Sequence, residues 1–396
     1  MLNAPFIATI LGEPLFFLMR RRPSTRAMKL SAIRRVLVVR PDEIGDVVMS
    51  IPMLRELRKN LPEARISLLV KPALGNLMIP CPYVDEVLMF NRDEPGSFSL
   101  VRTWVRMIRF AVEKLWPRHF DLAIFPRWDA GPYEGPILTY LSGAPWRVGY
   151  SEHVVPWKSI QNRGCDRYFT QILESKGMQH EVLNNLDVVR SIGGRVESDR
   201  LEIWSTPEDD TFVQEALRAM GVTSGDHVIA LGVGTRLGSK LWPFENFQAL
   251  SRELAKDPQT KVILLGGKED LALGAAPTEA SIVDFRGKTT LRQVGALLKR
   301  CTLYVGNDTG AMHMAAAVGT PVVQVSCHPQ GGSPLVYPWP DRFGAWQVPQ
   351  MLVKPAHPVP PCVDHCSAGV SHCIQSVGVE QVARAARDML RMRVAS

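Results

Sequence analysis

The sequence predicts an α/β protein built from two doubly wound domains. Unbroken runs of aliphatic residues, as at 36–39 and 261–265, are typical of strands buried on both faces of a parallel sheet. In both halves of the chain these runs alternate with segments whose apolar residues recur at about 3.6-residue spacing. A chain of 396 residues is long enough for two such domains.

The elements follow this alternation in order. In the first half we predict strands at 36–39, 66–70, 84–90 and 121–125, and helices that end before Pro62 and cover 101–115 and 181–192. Residues 127–165 are rich in Gly, Pro, Trp and Tyr, which favours functional loops. In the second half we predict strands at 227–232, 261–265, 302–305 and 321–325, and helices from 206 and over 244–256, 291–299 and 311–318.

The predicted organisation has five parts. These are an N-terminal extension (1–33), a first Rossmann-like domain (34–195), a linker (196–208), a second Rossmann-like domain (209–376) and a C-terminal helix (377–396). The carboxyl ends of parallel strands carry the ligand sites of such folds, so a central cleft is the expected binding site.

Composition and charge exclude several classes of protein. Apolar residues make up 46% of the chain, which excludes disordered and multi-span membrane proteins. The net charge of +7 is concentrated in residues 1–35, which carry seven basic residues and one acid, so the rest of the chain is nearly neutral. A nucleic-acid-binding protein would show basic stripes on its folded domains. The odd number of cysteines, seven, favours reduced thiols and a cytoplasmic location.

The N-terminal extension has two interpretations. Residues 4–19 are mostly apolar and precede Arg20, Arg21 and Arg22, but the run is too short and too interrupted to span a membrane. Its apolar side chains could enter a membrane interface while the arginines contact anionic head groups (Phe6, Ile7, Ile10, Leu11, Leu15, Phe16, Phe17). The alternative is an extension that packs on the body or is disordered.

Four loops that follow predicted strands carry candidate chemistry. Asp46 lies at the first strand-to-helix turn, where it is either a general base or a first-turn acid of the helix. The segment 306–313 (GNDTGAMH) opens a small, apolar helix, and a helix N-terminus of this kind suits a diphosphate. Thr235 and Lys240 lie in a glycine-containing loop, where a lysine can neutralise a phosphate. Glu269 follows a strand, as do acids that bind ribose hydroxyls.

A cluster of cysteines and histidines lies near the C-terminus. Cys362, Cys366 and Cys373 are interleaved with His365 and His372. Zinc knuckles more often show paired C-x2-C spacing, so the sequence favours reduced thiols or one labile disulfide over a metal site. We therefore expect no metal and no cofactor.

Four motifs in order resemble bacterial heptosyltransferases, glycosyltransferase family 9. They are residues 36–48 (VLVVRPDEIGDVV), 239–243 (SKLWP), 264–269 (LLGGKE) and 307–313 (NDTGAMH). The resemblance covers about residues 34–385 and implies the glycosyltransferase B fold. It also implies an inverting, metal-independent transfer from ADP-L-glycero-β-D-manno-heptose to the Kdo–lipid A inner core of lipopolysaccharide at the cytoplasmic face of the inner membrane.

The resemblance implies roles for individual residues. Asp46 is the expected general base. The expected donor-binding residues are Thr235, Lys240, Glu269, Asp308, Thr309, Gly310 and His313. For the acceptor, no motif matches, and Arg40, Arg127 and Lys158 are the candidates.

Two other functions are compatible with the same architecture. A noncatalytic nucleotide-sugar-binding protein of envelope assembly would bind nucleotide without turnover. A sugar-nucleotide 2-epimerase would act on the donor with no acceptor present. The sequence does not predict the oligomeric state.

Overall fold

The computed structural model describes residues 4–19, 28–91, 99–333 and 339–394, and these form two compact units, Met1–Asp199 and Arg200–Ser396. The boundary falls inside the segment 196–208. Each unit contains a six-stranded sheet in which every strand pair is parallel.

The first unit has six strands and seven α-helices among its described residues. The strands are β1 (Arg35–Val39), β2 (Arg65–Val70), β3 (Glu86–Met89), β4 (Leu122–Phe125), β5 (Trp146–Tyr150) and β6 (Gln171–Leu173). The helices are α1 (Ala4–Leu18), α2 (Ile44–Asn60), α3 (Pro72–Met78), α4 (Ser99–Phe110), α5 (Glu134–Leu141), α6 (Pro156–Gln161) and α7 (Glu181–Ser191). The strand order is β3-β2-β1-β4-β5-β6.

The second unit repeats this plan. Its strands are β7 (His227–Gly232), β8 (Thr260–Leu265), β9 (Ile282–Asp284), β10 (Leu303–Asn307), β11 (Val322–Val325) and β12 (Gln350–Val353). Its helices are α8 (Pro207–Ala219), α9 (Phe244–Leu254), α10 (Leu291–Arg300), α11 (Gly310–Ala317), α12 (Pro340–Phe343) and α13 (Val379–Val394). The order β12-β11-β10-β7-β8-β9 is the same as in the first unit, numbered from its own first strand.

The predicted fold class is therefore confirmed, although several elements were not predicted. Residues 127–165, expected to be loops, contain α5, β5 and α6. All eight residues of α5 are buried, so this helix has no polar face and no helical periodicity to detect. The short strands β6, β9 and β12 were also missed, because three or four residues give too little pattern.

The N-terminal helix α1 packs on the first unit through one face. Ala8 and Phe16 are buried in the core, and the Phe16 ring meets the Tyr140 ring edge-on, with centroids 4.4 Å apart. The Tyr140 hydroxyl donates a hydrogen bond to Glu13 at 2.7 Å. Ile7 packs against the same core. For Ile7 and Phe16 the structure agrees with the second interpretation, an extension that packs on the body.

The opposite face of α1 remains exposed. Four large apolar side chains lie there: Ile10, Leu11, Phe17 and Leu18. Arg20, Arg21 and Arg22, and the side chain of Phe6, lie outside the described residues. Among the residues described, no helix has the length and hydropathy needed to cross a bilayer.

Candidate active site

In the first unit, the candidate site lies at the point where the strand order reverses. Strands β1 and β4 are neighbours there, and the connections that leave them run in opposite directions along the sheet. In doubly wound sheets this switch point, at the carboxyl ends of the strands, is where ligands bind. The segment from Arg40 to Asp46 follows β1, and Arg127 follows β4.

Asp46 lies in the first turn of α2, which agrees with the prediction of a first-turn acid at this position. Its carboxylate accepts a hydrogen bond from the backbone N–H of Glu43 at 3.3 Å, and the Glu43 side chain caps the helix in return. The Arg127 guanidinium lies 3.5 Å from the same carboxylate. The Asp46 side chain keeps 16% of its surface exposed, so it is both oriented and accessible.

A buried charge network supports this carboxylate. Arg127 contacts Asp42 at 2.7 Å, and Arg40 contacts Asp42 at 3.1 Å and Glu181 at 3.4 Å. Burial by itself lowers the pKa of Arg127, but the surrounding carboxylates, Asp42 first, outweigh it and raise this pKa well above its ordinary value. Arg40 is fully buried and also donates to the Asp46 carbonyl at 3.2 Å, so it holds the loop from inside.

Lys158 is buried beneath the same loop. Its ammonium donates to the backbone carbonyls of Arg127, Trp128 and Tyr150 at 3.0–3.1 Å. An ammonium has three protons, and these contacts use all of them. Burial lowers the pKa of Lys158 to about 7. The structure thus places Lys158 where it supports the Arg127 segment from below.

In the second unit, the candidate site again lies at the switch point, here between β7 and β10. Lys240, which follows β7, forms an ion pair with Asp308, which follows β10, at 2.6 Å. Nε2 of His313 lies 3.7 Å from the other Asp308 oxygen. Burial would raise the pKa of Asp308, but Lys240 and His313 outweigh it and lower this pKa to about 2.

The backbone around this pair is held by Asn307 and by close packing. The Asn307 side chain accepts from Trp242 N at 3.1 Å and donates to the Val233 carbonyl at 3.3 Å, so it joins the two loops. A Cβ at Gly232 would lie 1.9 Å from the Tyr304 hydroxyl, so only glycine fits there. The loops are thereby fixed before any ligand arrives.

Thr309 and Gly310 begin α11 beside Asp308. Thr309 is the N-cap, and its hydroxyl lies 3.3 Å from that of Tyr304. The first N–H groups of a helix have no partner within the helix, and they point along the positive end of its dipole. On the loop after β7, the Thr235 hydroxyl accepts from Leu237 N at 3.3 Å and shapes the turn.

Glu269 follows β8, the strand next to β7, and its side chain is exposed. Sequence reasoning missed the residues that shape its loop. Asp270 accepts from Gly267 N at 2.7 Å, and the buried Arg286 donates to the carbonyls of Asp270 and Gly274 at 2.9 Å. Asp270 adjoins the predicted Glu269, whereas nothing in the sequence around Arg286 indicates this role.

The structure also gathers part of the C-terminal cluster. The ligand atoms of Cys362, Cys366, His372 and Cys373 all lie within 4.8 Å of one another. His365 instead bonds Asp364 at 2.6 Å.

Comparison with known proteins finds heptosyltransferases among the proteins that are similar to this chain. Lipopolysaccharide heptosyltransferase 3 of Escherichia coli is 23% identical over 294 residues, which cover 71% of this chain and 79% of that protein. A solved glycosyltransferase family 9 structure from Veillonella parvula superposes with a TM-score of 0.69 at 21% identity, over 92% of this chain and 99% of that one. An E. coli heptosyltransferase solved with ADP superposes with a TM-score of 0.63 at 18% identity. This superposition covers 90% of this chain and 99% of that one.

The two parallel α/β units, with loop sites at both switch points, have the glycosyltransferase B fold. The family model for glycosyltransferase family 9 (heptosyltransferase) matches residues 136–327. This match covers just under half of the chain.

Proposed function

We propose that the enzyme transfers heptose from ADP-L-glycero-β-D-manno-heptose to a hydroxyl of a lipopolysaccharide inner-core acceptor, with inversion and with no metal at the reacting centre. One observation carries the proposal: an accessible carboxylate, Asp46, lies at one switch point, and a cation, Lys240, lies beside a helix N-terminus at the other. The names of the similar proteins, lipopolysaccharide heptosyltransferases and a heptosyltransferase with ADP, support the choice of donor and acceptor.

In this mechanism Asp46 is the general base. The acceptor hydroxyl attacks the anomeric carbon from the face opposite ADP, and its proton passes to the Asp46 carboxylate. The bond between the anomeric carbon and the phosphate oxygen breaks, and its electrons leave with ADP. A positioned carboxylate contributes about 10²–10⁴-fold to such a step. Arg127 at 3.5 Å and the Glu43 N–H at 3.3 Å keep the carboxylate in one orientation.

The second unit stabilises the leaving group. ADP gains negative charge as the bond breaks, so fixed positive groups lower the barrier. Lys240 and the first N–H groups of α11 supply them, with Asp308 holding the ammonium in place at 2.6 Å. Nδ1 of His313 is buried with no hydrogen-bond partner among the described residues, which suits a hydroxyl of the donor or a water. Glu269, exposed beyond β8, is the candidate for the ribose hydroxyls.

The test is ADP release from ADP-heptose, with and without Kdo–lipid A, together with the anomeric configuration of the product. We expect release that depends on the acceptor, an α-linked product, and no effect of added Mg²⁺. Release that is equal without the acceptor would favour hydrolysis or the epimerase alternative and would overturn the proposal. ADP binding without release under any condition would favour the noncatalytic alternative, and a β-linked product would overturn inversion.

We further propose that the exposed face of α1 contacts the surface of the membrane that holds the lipid acceptor. The side chains of Phe17 and Leu18 are 61% and 77% exposed, at the end of the helix that precedes Arg20, Arg21 and Arg22 in the sequence. Apolar side chains beside a basic cluster match an interface of acyl chains and anionic head groups.

Co-sedimentation with vesicles tests this contact. We expect the protein to sediment with vesicles that contain phosphatidylglycerol, and the variant Phe17→Ser/Leu18→Ser to stay in solution. The matched control is Ile79→Ser, which removes an apolar side chain of the same unit that is 60% exposed. Equal sedimentation of all three proteins would remove the membrane contact. Deleting residues 1–33 is a poorer test, since it also removes Ala8 and Phe16 from the core.

A further inference from the structure

The cluster of Cys362, Cys366, His372 and Cys373 has the composition of a structural metal site. Three thiols and one imidazole are a common ligand set for tetrahedral zinc, and their ligand atoms here lie within 4.8 Å of one another. The spacing along the chain is not that of a zinc knuckle, and the segment between Cys366 and His372 is irregular, with bends at 369–371.

The distances match the edges of a zinc tetrahedron. With Zn–S near 2.3 Å and Zn–N near 2.0–2.1 Å, a tetrahedral site has S···N edges of about 3.6 Å. Nδ1 of His372 lies 3.6 Å from Sγ of Cys362 and 3.5 Å from Sγ of Cys373. A single imidazole nitrogen is therefore at the expected distance from two thiols at once.

The surroundings stabilise thiolates. The backbone N–H of Ser367 donates to Sγ of Cys362 at 3.4 Å, and the backbone N–H of Val359 donates to Sγ of Cys373 at 3.5 Å. Such outer hydrogen bonds orient metal ligands and stabilise their charge. Cys362 and Cys373 are buried, and Cys366 and His372 are partly buried, so the cluster has the closed character of a structural site.

The cluster lies against the loops that carry the donor-site residues. A Cβ at Gly238, two residues before Lys240, would lie 2.6 Å from the Gly369 carbonyl, so the two segments are in direct contact. On another side, Ser333 N donates to the Asp364 carbonyl at 3.0 Å, which joins the cluster to the segment after β11. The turn Cys373–Ser376 continues into the core through Ile374.

We infer that Cys362, Cys366, His372 and Cys373 bind one Zn²⁺ that fastens the C-terminal loop of the second unit against the Lys240 loop. The three cysteines bind as thiolates and release their protons to solvent. The ion stays away from the reacting atoms and acts by holding the Lys240 loop in position. This role in donor binding rests on the function proposed above, whereas the metal site itself does not.

The primary test is the metal content of the intact protein, purified under reducing conditions without chelator. We expect about one zinc per chain in the wild type and a large loss in Cys366→Ser, whose thiol is the most exposed of the three. The control Cys301→Ala removes a buried thiol elsewhere in the second unit and should keep its zinc. Exchange with Co²⁺ should give the visible spectrum of a tetrahedral thiolate site in the wild type and not in Cys366→Ser.

Two results would overturn the inference: a wild type without zinc that also gives no Co²⁺ spectrum, or a disulfide within the cluster in protein purified without oxygen. One iron per chain would overturn the assignment of zinc.

Binding of ADP is the functional readout, and we expect it to weaken about 10-fold in the zinc-free protein. A protein that contains zinc but does not bind ADP would support the metal site and contradict the proposed function. Failure of the metal site and failure of the proposed function can therefore be distinguished.

Discussion

The two switch points share one topology and differ in charge. In the first unit, three carboxylates surround two arginines: Asp42, Asp46 and Glu181 with Arg40 and Arg127. In the second unit, Asp308 holds the Lys240 ammonium beside the positive end of a helix. The strand order thus sets where the loops meet, and the loop residues set which chemistry takes place there.

The difference in charge fits a different chemical role for each switch point. A site with an excess of carboxylates suits the removal of a proton, whereas a lysine at a helix N-terminus suits a diphosphate. Variants that act on one switch point should therefore change one step of the reaction and leave the other intact.

The largest effect should come from Asp46→Asn. We expect turnover to fall by about 10²–10⁴-fold, because the amide cannot accept the acceptor proton, with little change in the affinity for ADP. Steady-state ADP release and ADP titration measure the two quantities. Glu208→Gln is the matched control, since Glu208 is also an acid in the first turn of a helix. A variant with nearly full turnover would remove Asp46 as the base.

Arg127→Met should destabilise the first unit by about 3–5 kcal/mol, because it leaves buried carboxylates without one of their two arginines. Urea unfolding monitored by fluorescence measures the change. Arg163→Met removes an exposed arginine of the same unit and should change stability by less than about 0.5 kcal/mol. Equal stability of the two variants would contradict the role of the buried network.

Lys240→Met should weaken ADP binding by about 10–100-fold, which corresponds to one or two lost charge-assisted contacts. Isothermal titration with ADP measures it, and Lys299→Met, an exposed lysine in the last turn of α10, serves as the control. If ADP bound both variants equally, the Lys240 loop would not be the diphosphate site.

The smallest effect concerns acid stability. The pKa of Asp308 lies at about 2, below the ordinary value of 3.8, so its ion pair stabilises the fold fully above about pH 4. This contribution, about 2 kcal/mol, should be lost as the pH falls from 4 to 2. We expect the melting temperatures of wild type and Asp308→Asn to differ most at pH 5 and to converge toward pH 2. A constant difference across this range would contradict the lowered pKa.

Much of this arrangement could be predicted from the sequence. The aliphatic runs of β1 and β10 locate the strand ends, so Asp46 and Asp308 could be placed at loop sites before the structure was known. The contacts between loops could not be predicted. Arg127 is 85 residues from Asp42, and Lys240 is 68 residues from Asp308, and no local pattern encodes such pairs.

Burial explains why two further arrangements could not be predicted from the sequence. Nothing in the sequence around Lys158 distinguishes it from a surface lysine. Only the fold shows that three backbone carbonyls surround its ammonium. The spacing of the cysteines does not indicate how the thiols meet, and only the fold brings the ligand atoms of Cys362, Cys366, His372 and Cys373 within 4.8 Å of one another.

The bond between Glu13 and Tyr140 has a consequence for the protein during its synthesis. The two residues are 127 positions apart. At about 5–20 residues per second, the ribosome needs about 6–25 s to add the chain between them. Throughout that interval α1 has been made and α5, its packing partner, has not. The apolar side chains of Ala8 and Phe16 then have no core to enter, so both apolar faces of this segment stay uncovered until α5 has been made.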